Sequence, residues 1–289
     1  MHLMIFGTGY AGQFIADAAL KIGIHTSGTT RSESNLQTLK NKGISAFLFA
    51  NQKINSTLQK KLYSITHVVQ CIKPEFESDP CILSMGEELY KFIPNIKWIG
   101  YLSSTSIYGN RAGQWVDEQT PIHPISYTAT QRFEVEKKWI SIAKKLDIKV
   151  AILRLSGIYG PKRNPLITIK QKNAVRLIKK DQVFNRIRVE DIAQCVIFLM
   201  KNNLGGIFNV SDDEPSPPQN VIMEAASLMK VNPPLEQYFD TAKVSPITRL
   251  FYADNKRISN AKIKSLGFRL LYPNYRISLK QLWEDDKNI

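Results

Sequence analysis

Residues 4–20 read MIFGTGYAGQFIADAAL: an apolar run that stops at a glycine and resumes in a helix-like pattern. Three glycines, Gly7, Gly9 and Gly12, sit where strand turns into helix. Each has a physical task. Gly7 permits the tight turn, and Gly9 lets backbone approach a pyrophosphate that a β-carbon would obstruct. Gly12 lets the helix pack against the strand. Thr8, Tyr10 and Ala11 complete the loop, and the unpaired amides at the positive end of the helix face the phosphates. The glycine pattern alone is weak. Its strand–turn–helix setting at the head of an alternating series points to dinucleotide binding.

Outward from this loop, short apolar runs alternate with helix-like segments. HLMIFG, GIHTSGTT, ISAFLFA, THVVQCI, IKWIGYLSS and KVAILRLSGIYG read as six strands. AGQFIADAALKIG, NLQTLKNKG, INSTLQKKLYS, SMGEELYKFI and a long helix over 126–145 lie between them. Apolar strands separated by helices imply a parallel sheet covered on both faces. The fold expected is α/β: a Rossmann-type doubly wound parallel sheet with a small C-terminal substrate lobe. The sheet domain is placed at 1–160 together with 189–205, and the lobe at 161–188 and 206–289. In the lobe, ITIKQKNAVRLIKK reads as a basic helical stretch and RVEDIAQCVIFLMKN as an amphipathic helix. GIFNVSDDEPSPPQN reads as a strand and a polar turn, and the remainder as short helices around a small strand pair.

The second strand chooses the cofactor. A carboxylate at its end would hold a ribose 2′-hydroxyl and repel a 2′-phosphate. Here the end reads GTTRSES, with Thr30 and Arg31 at the position. Arg31 attracts a 2′-phosphate, and Ser32 or Ser34 can donate to it. NADP is therefore favoured over NAD; the alternative makes Arg31 an exposed loop residue and gives the ribose to Glu33. Ile72, closing the fourth strand, is also assigned to the cofactor.

Composition narrows the function class. The 289 residues, 43% hydrophobic and 22% charged, suit a folded, soluble chain with a sizeable core. No basic leader with a cleavage site precedes the first strand, and no apolar run reaches the ~18 residues a bilayer requires. Cys71, Cys81 and Cys195 form no C-x-x-C pair and read as reduced thiols in a cytoplasm. His2, His25, His67 and His123 have no metal-ligand spacing, so no metal site is assigned. The net charge of +14 comes with scattered lysine pairs and no aromatic-and-basic motif, which fits solvated helix faces better than a nucleic-acid partner.

GTGYAGQ, YLSSTSIYG (101–109), ILRLSGIYGP (152–161), RIRVEDIA (186–193) and GIFNVSDDEP (206–215) occur in this order. Together they resemble the extended short-chain dehydrogenases/reductases of the NAD(P)-dependent epimerase/dehydratase type, over almost the whole chain. The G-x-G-x-x-G form and the end KRISNAKIKSLGF…LLYPNYRISL (256–279) are similar to an atypical bacterial subgroup, many of whose members lack the standard active-site residues.

The resemblance implies a Ser or Thr that orients a substrate oxygen, a Tyr that exchanges its proton, and a Lys that lowers the Tyr pKa. Ser104 matches the serine. If Tyr127 is the tyrosine, Gln131 stands in place of the lysine. Aligned on Glu136 and Trp139, the pair becomes Thr128 and Arg132, which fits the subgroup better. Neither register gives Tyr-x-x-x-Lys. Ser104, Tyr127 and Arg132 are the candidate catalytic residues. Leu155 and Ser156 would contact the nicotinamide end through backbone. Lys162, Arg163, Arg186 and Arg188 are candidates for an anionic substrate, while Asp191 is expected to cap or salt-bridge within the fold. The expected activity is an NAD(P)-dependent oxidoreductase or epimerase-like reaction on a hydroxyl or carbonyl of a small, sugar-like or anionic substrate. The alternative is a non-catalytic NADP(H)-binding regulator or scaffold.

Overall fold

The computed structural model describes residues 1–75 and 78–287. The chain opens with β1 (His2–Phe6), α1 (Tyr10–Lys21), β2 (His25–Thr30), α2 (Glu33–Asn41), β3 (Ser45–Leu48), α3 (Ser56–Leu62) and β4 (His67–Gln70). It continues through α4 (Pro80–Met85), α5 (Leu89–Phe92), β5 (Trp98–Ser104), β6 (Trp115–Val116), α6 (Tyr127–Lys145), β7 (Lys149–Leu155) and β8 (Gly157–Tyr159). Next come α7 (Pro165–Lys170), β9 (Arg176–Ile178), β10 (Arg186–Arg188), α8 (Val189–Lys201) and β11 (Gly206–Val210). The chain ends with α9 (Pro218–Met229), β12 (Glu236–Tyr238), α10 (Pro246–Tyr252), β13 (Arg257–Ile258), α11 (Ala261–Ser265) and α12 (Tyr275–Lys287).

Seven strands form one sheet in the order β11-β7-β5-β4-β1-β2-β3. β1 pairs in parallel with β2 and β4, β2 with β3, and β4 with β5. The strands are apolar on both sides because both sides are covered. Met4 and Phe6 of β1 join Val68, Ile99, Tyr101 and Ile152 in a core closed by α3, α4, α5 and α6. Leu3 and Ile5 point to the other face and are fully buried too. This is the doubly wound Rossmann-type sheet expected from the alternation.

The chain packs as two compact units. One comprises Met1–Ser104, Ser126–Arg154 and Ile192–Phe208, and holds the body of the sheet. The other comprises Thr105–Ile125, Leu155–Asp191 and Asn209–Ile289. The second unit thus takes up 105–125, 155–160 and 189–191, which the sequence reading places in the sheet domain, while 206–208, read as part of the lobe, belong to the first unit. The last two residues of the expected lobe lie outside the described residues. Within the second unit, Tyr159, Leu166, Val221, Ala225, Tyr275, Leu279 and Leu282 pack as one cluster. Leu177, Phe239 and Tyr252 form a smaller one.

Several elements depart from the sequence reading for local reasons. KVAILRLSGIYG is two strands: β7 stays in the sheet, and after Ser156 the chain forms β8, which pairs with β10. ITIKQKNAVRLIKK is a short helix and a strand. Lys172 adopts φ +57 after α7, and β9 pairs with β12. β12 and β13 do not pair with one another; β13 joins β6. The helix expected over 84–93 starts earlier, at Pro80. Asp79 caps it by accepting from Cys81 N and Ile82 N, and Gly86 at φ +53 interrupts it. No described helix is long and apolar enough to cross a membrane.

Candidate functional site

In the first unit the carboxyl ends of β1 to β4 surround a cavity of about 710 Å³. Gly7, Thr8 and Gly9 form its floor, and Thr30, Arg31, Ser32 and Ile72 are part of its wall. Open α/β sheets bind ligands at this end. Gly7 sits at φ +87, where a side chain would also drive its Cβ to 2.7 Å from Ile72 Cγ1. A Cβ on Gly12 would stand 2.5 Å from the Gly7 carbonyl oxygen, so this glycine seats the helix on the loop. A Cβ on Gly9 would meet nothing within 4 Å, so the space above it is open.

The loop's own amides are largely used. Gly7 N donates to Thr29 Oγ1, Thr8 N to the Thr29 carbonyl and Gly9 N to the Gly7 carbonyl. The Thr8 hydroxyl also donates to the Thr29 carbonyl, so this side chain holds loop to sheet. What remains is the first turn of α1, where Ala11 and Gly12 have no intrahelical acceptor. That helix has no side-chain cap and no acidic residue in its first turn. A diphosphate fits these features: open space over Gly9, and a helix terminus without a competing anion. Tyr10 packs its ring edge-on against Phe14, with centroids 5.5 Å apart. Tyr10, Ala11 and Gly12 do not line the cavity themselves.

Arg31 reaches the cavity from the end of β2, exposed and with no ion-pair or hydrogen-bond partner among the described residues. Ser32 precedes α2 in extended backbone without a side-chain capping bond, and its hydroxyl lies 2.6 Å from that of Ser34. Glu33 begins α2 and is not part of the cavity wall. The wall also includes Asn35, Phe49, Asn51, Gln52, Lys73 and Glu75, which the sequence reading did not assign. Asn51, Gln52, Lys73 and Glu75 follow the predicted third and fourth strands, Phe49 lies within the third and Asn35 on the second helix, but nothing in their residue types singles them out. Cys71 lines the cavity as well, and burial pushes its thiol well above the usual range, which leaves it a poor nucleophile.

The candidate catalytic residues of the first unit gather around β5 and α6. Ser104 ends β5 and is half-buried. Ser126 caps α6 by accepting from Ala129 N at 3.2 Å. Tyr127, the first residue of α6, is 63% exposed. Gln131, one turn on, is buried instead. Arg132 donates through Nη1 to the Leu102 carbonyl at 3.4 Å, so its guanidinium lies against the end of β5. Further along the same face, Glu136 accepts from Ser103 Oγ at 2.5 Å and pairs with Arg154 at 2.8 Å, all buried. The helix therefore presents 132 and 136 to β5. A phenol not assigned from sequence lies here: burial raises the Tyr101 hydroxyl, and the Arg132 guanidinium opposes the rise.

The second unit holds the remaining candidates. Leu155 is buried, and its carbonyl accepts from Thr105 Oγ1 at 3.3 Å. Ser156 N donates to the Val210 carbonyl, while its buried hydroxyl has no hydrogen-bond partner. Arg188 is not an open substrate ligand. It is 1% exposed, bonded to Glu190, Ser278 and Gln281 and stacked on Tyr272 at 4.1 Å. Arg186 is half-buried and donates to Phe184 and Ser216. Asp191 accepts from Leu271 N and Tyr272 N in the loop before α12, so among the described residues it neither caps a helix nor forms an ion pair but ties that loop down, and burial raises its carboxyl to about 6. Tyr108 donates to Asn209 Oδ1 at 2.7 Å within the core.

A family and a set of relatives match this arrangement. Protein YeeZ of Escherichia coli K12 is 26% identical over 283 residues, covering 93% of this chain and 96% of YeeZ. The structure of a functionally unknown conserved protein from Silicibacter pomeroyi DSS is 35% identical at a TM-score of 0.89, with 99% of each chain covered. UDP-glucuronic acid 4-epimerase from Bacillus cereus, solved with NAD, superposes at a TM-score of 0.78 over 100% of this chain and 97% of its own, at 16% identity; this likeness shows the fold. The sequence profile of the NAD dependent epimerase/dehydratase family matches residues 3–211. With its glycine-floored cavity at the carboxyl end of a doubly wound sheet, this chain belongs to the NAD dependent epimerase/dehydratase family.

Proposed function

We propose that the chain binds NADP(H) and acts as an oxidoreductase or epimerase-like enzyme on a hydroxyl or carbonyl of a small, sugar-like or anionic substrate. One observation carries the cofactor reading. Arg31, without a partner among the described residues, stands at the rim of the glycine-floored cavity, and no carboxylate occupies the end of β2. A guanidinium there favours a 2′-phosphate. The first turn of α1 would hold the diphosphate, with Gly9 allowing its approach. Arg31 and Ser32 would hold the 2′-phosphate. When bound, the cofactor supplies a nicotinamide that accepts or donates hydride.

Ser104 is proposed to orient the substrate oxygen. Arg132, anchored to the Leu102 carbonyl, keeps a fixed positive charge near the end of β5. A proton carrier is needed beside them: Tyr127 or a water. Calorimetry with NADPH and NADH tests the cofactor assignment. Turnover of a carbonyl panel with NADPH tests the chemistry. Tight NADPH binding without hydride transfer to any substrate would remove the enzyme reading.

The second reading is a non-catalytic NADP(H)-binding regulator. Buried Gln131 one turn after exposed Tyr127 favours it, because that register offers no cation to acidify the phenol. A partner protein captured only with NADP(H) bound, alongside absent turnover, would select it.

A further inference from the structure

A second cavity, of about 300 Å³, lies in the first unit at the opposite end of the sheet, where β1, β2 and β3 begin. β1 spans from His2 at this end to Phe6 beside the glycine loop, a run of about 13 Å between the two ends. His2 and His25 are direct register partners on β1 and β2, with ring centroids 6.0 Å apart. Lys61, from the last turn of α3, completes the wall, with the hydroxyl residues Ser45 and Thr26.

The lining is one-sided in charge. It holds two imidazoles and an ammonium, and no carboxylate among the described residues. The Lys61 side chain has no ion-pair or hydrogen-bond partner among them, nor does Ser45. Thr26 is spent on the Ile24 carbonyl. The carbonyl ends of α1 and α2 border the cavity but are closed by backbone amides. Gly23 N and Ile24 N cover Leu20 and Ala19, and Gly43 N and Ile44 N cover Lys40 and Leu39. His2 itself is held by Ser27 Oγ at 3.1 Å. Burial, then Lys61, His25 and the chain's amino group push it down to about 4. The groups around His2 are the His25 imidazole from β2, the Lys61 ammonium from α3, the amino group of Met1, and the Ser27 and Ser64 hydroxyls, with no carboxylate among the described residues. An ammonium and two imidazole rings with no carboxylate beside them give the cavity a field that favours an anion.

We propose that His2, His25, Lys61 and Ser45 form a binding site for a tetrahedral oxyanion, either free phosphate or the phosphoryl group of a small phosphomonoester. Lys61 supplies the charge, and the His25 imidazole and the Ser45 hydroxyl supply directional donors, while His2, whose two ring nitrogens face Ser27 and Ser64, lines the wall beside them. The volume leaves room for a small organic group beyond the phosphoryl oxygens.

The test is imidazole-resolved NMR of the full chain, titrated with inorganic phosphate or glycerol phosphate at constant ionic strength. The His2 and His25 ring signals should shift saturably, while those of His123, in the other unit, stay put. The His2 titration midpoint should rise from about 4 in saturating phosphate, because anion binding and protonation favour one another. Lys61→Gln and His25→Gln should each weaken binding about tenfold. A tighter response to glycerol phosphate assigns the ester, and an equal one assigns free phosphate. Arg31→Ala should leave the response intact, which separates this site from the cofactor cavity whether or not the cofactor reading stands. Ring signals that move no more than in matched chloride would overturn the proposal. So would a response unchanged in both Lys61→Gln and His25→Gln, or one abolished by Arg31→Ala.

Discussion

Thr8 rests where Gly28 has no side chain. The Thr8 hydroxyl donates to the Thr29 carbonyl at 3.0 Å, and a Cβ on Gly28 would overlap its oxygen. A glycine in the middle of β2 thereby lets the loop after β1 lie close on the neighbouring strand. Gly28→Ala should force Thr8 off this rotamer and break the bond, a loss of about 1–2 kcal/mol. Cofactor affinity should fall with it, since the same loop floors the cavity. Thr8→Ala in the Gly28→Ala background should recover part of the stability, giving a coupling between the two sites in a denaturation cycle. Additive losses would mean that the glycine matters for another reason.

Arg31 provides the sharpest test of the cofactor assignment. Arg31→Ala should weaken NADPH binding about 10- to 100-fold, the scale of a charge-assisted phosphate contact. NADH binding should stay within about twofold, because the diphosphate contacts at α1 are unchanged. Arg31→Asp should invert the preference by repelling the 2′-phosphate and accepting from a 2′-hydroxyl. Equal loss of both cofactors on calorimetry would contradict the role given to Arg31.

The ion pair between Glu136 and Arg154 ties α6 to the sheet. Both side chains are almost fully buried, at 1% and 3% exposure, and Ser103 adds a third contact. Arg154→Met strands a buried carboxylate and should cost about 3–5 kcal/mol in urea denaturation. The double variant Arg154→Met with Glu136→Met should lose much less, because no charge is left unpaired. If the single and double variants are equally destabilised, packing rather than charge dominates the site.

The parts of this fold that were legible in the sequence share a cause. Strands such as HLMIFG and THVVQCI are buried on both faces, so their apolar runs are unbroken, and the glycine loop needs its three glycines for steric reasons. The parts that were not legible depend on distant partners. Gly157 to Tyr159 leave the main sheet because β10 pairs with them, and Arg176 to Ile178 are a strand because β12 does. Neither partner is near in sequence, and strand formation responds to such context more than to propensity. The start of α4 is different: Asp79 before Pro80 is a helix signal that local chemistry already contained. Of the cavity lining, Gly7, Gly9 and Arg31 stood out in the sequence because few residue types suit their positions. Asn51 and Gln52, which take positive φ beyond β3, did not, because many residues can line a cavity wall.

Stability should fall as pH rises from 6.5 to 8, and Asp212 is the reason. Burial pushes its carboxyl up to about 8, only partly opposed by Arg186. Between an ordinary 3.8 and about 8 the folded chain keeps a proton that the unfolded chain has released, so raising the pH favours unfolding. Asp79 and Asp191, both raised to about 6, act in the same direction, but only below that value. His2 and His67 are lowered to about 4 and act oppositely, gaining stability as pH rises to 6.5. Above 6.5 these four level off and Asp212 remains. The decline should approach about 1.4 kcal/mol per pH unit and flatten beyond 8. Asp212→Asn keeps an acceptor for Glu214 N and should abolish the slope in a denaturation series. A slope that survives this change would assign it to another group.

Helix α6 decides which register of the catalytic pair is worth restoring. Tyr127 and Arg132 are five residues apart, so their side chains diverge by about 140° around the helix. Tyr127 is 63% exposed, whereas Arg132 and Glu136 reach β5. Thr128 is exposed, but it lies one turn before Arg132 and only about 40° from it around the helix. Thr128→Tyr with Arg132→Lys should therefore place a phenol and an ammonium where Ser104 could work with them, and raise NADPH-dependent carbonyl reduction about 100-fold over the parent chain. Gln131→Lys should give no such gain. It puts an ammonium at a buried position behind an exposed tyrosine, and should lower the denaturation midpoint instead. If Gln131→Lys alone raised turnover while the double variant did not, the relay would run through Tyr127 and the helix would have to turn to present it.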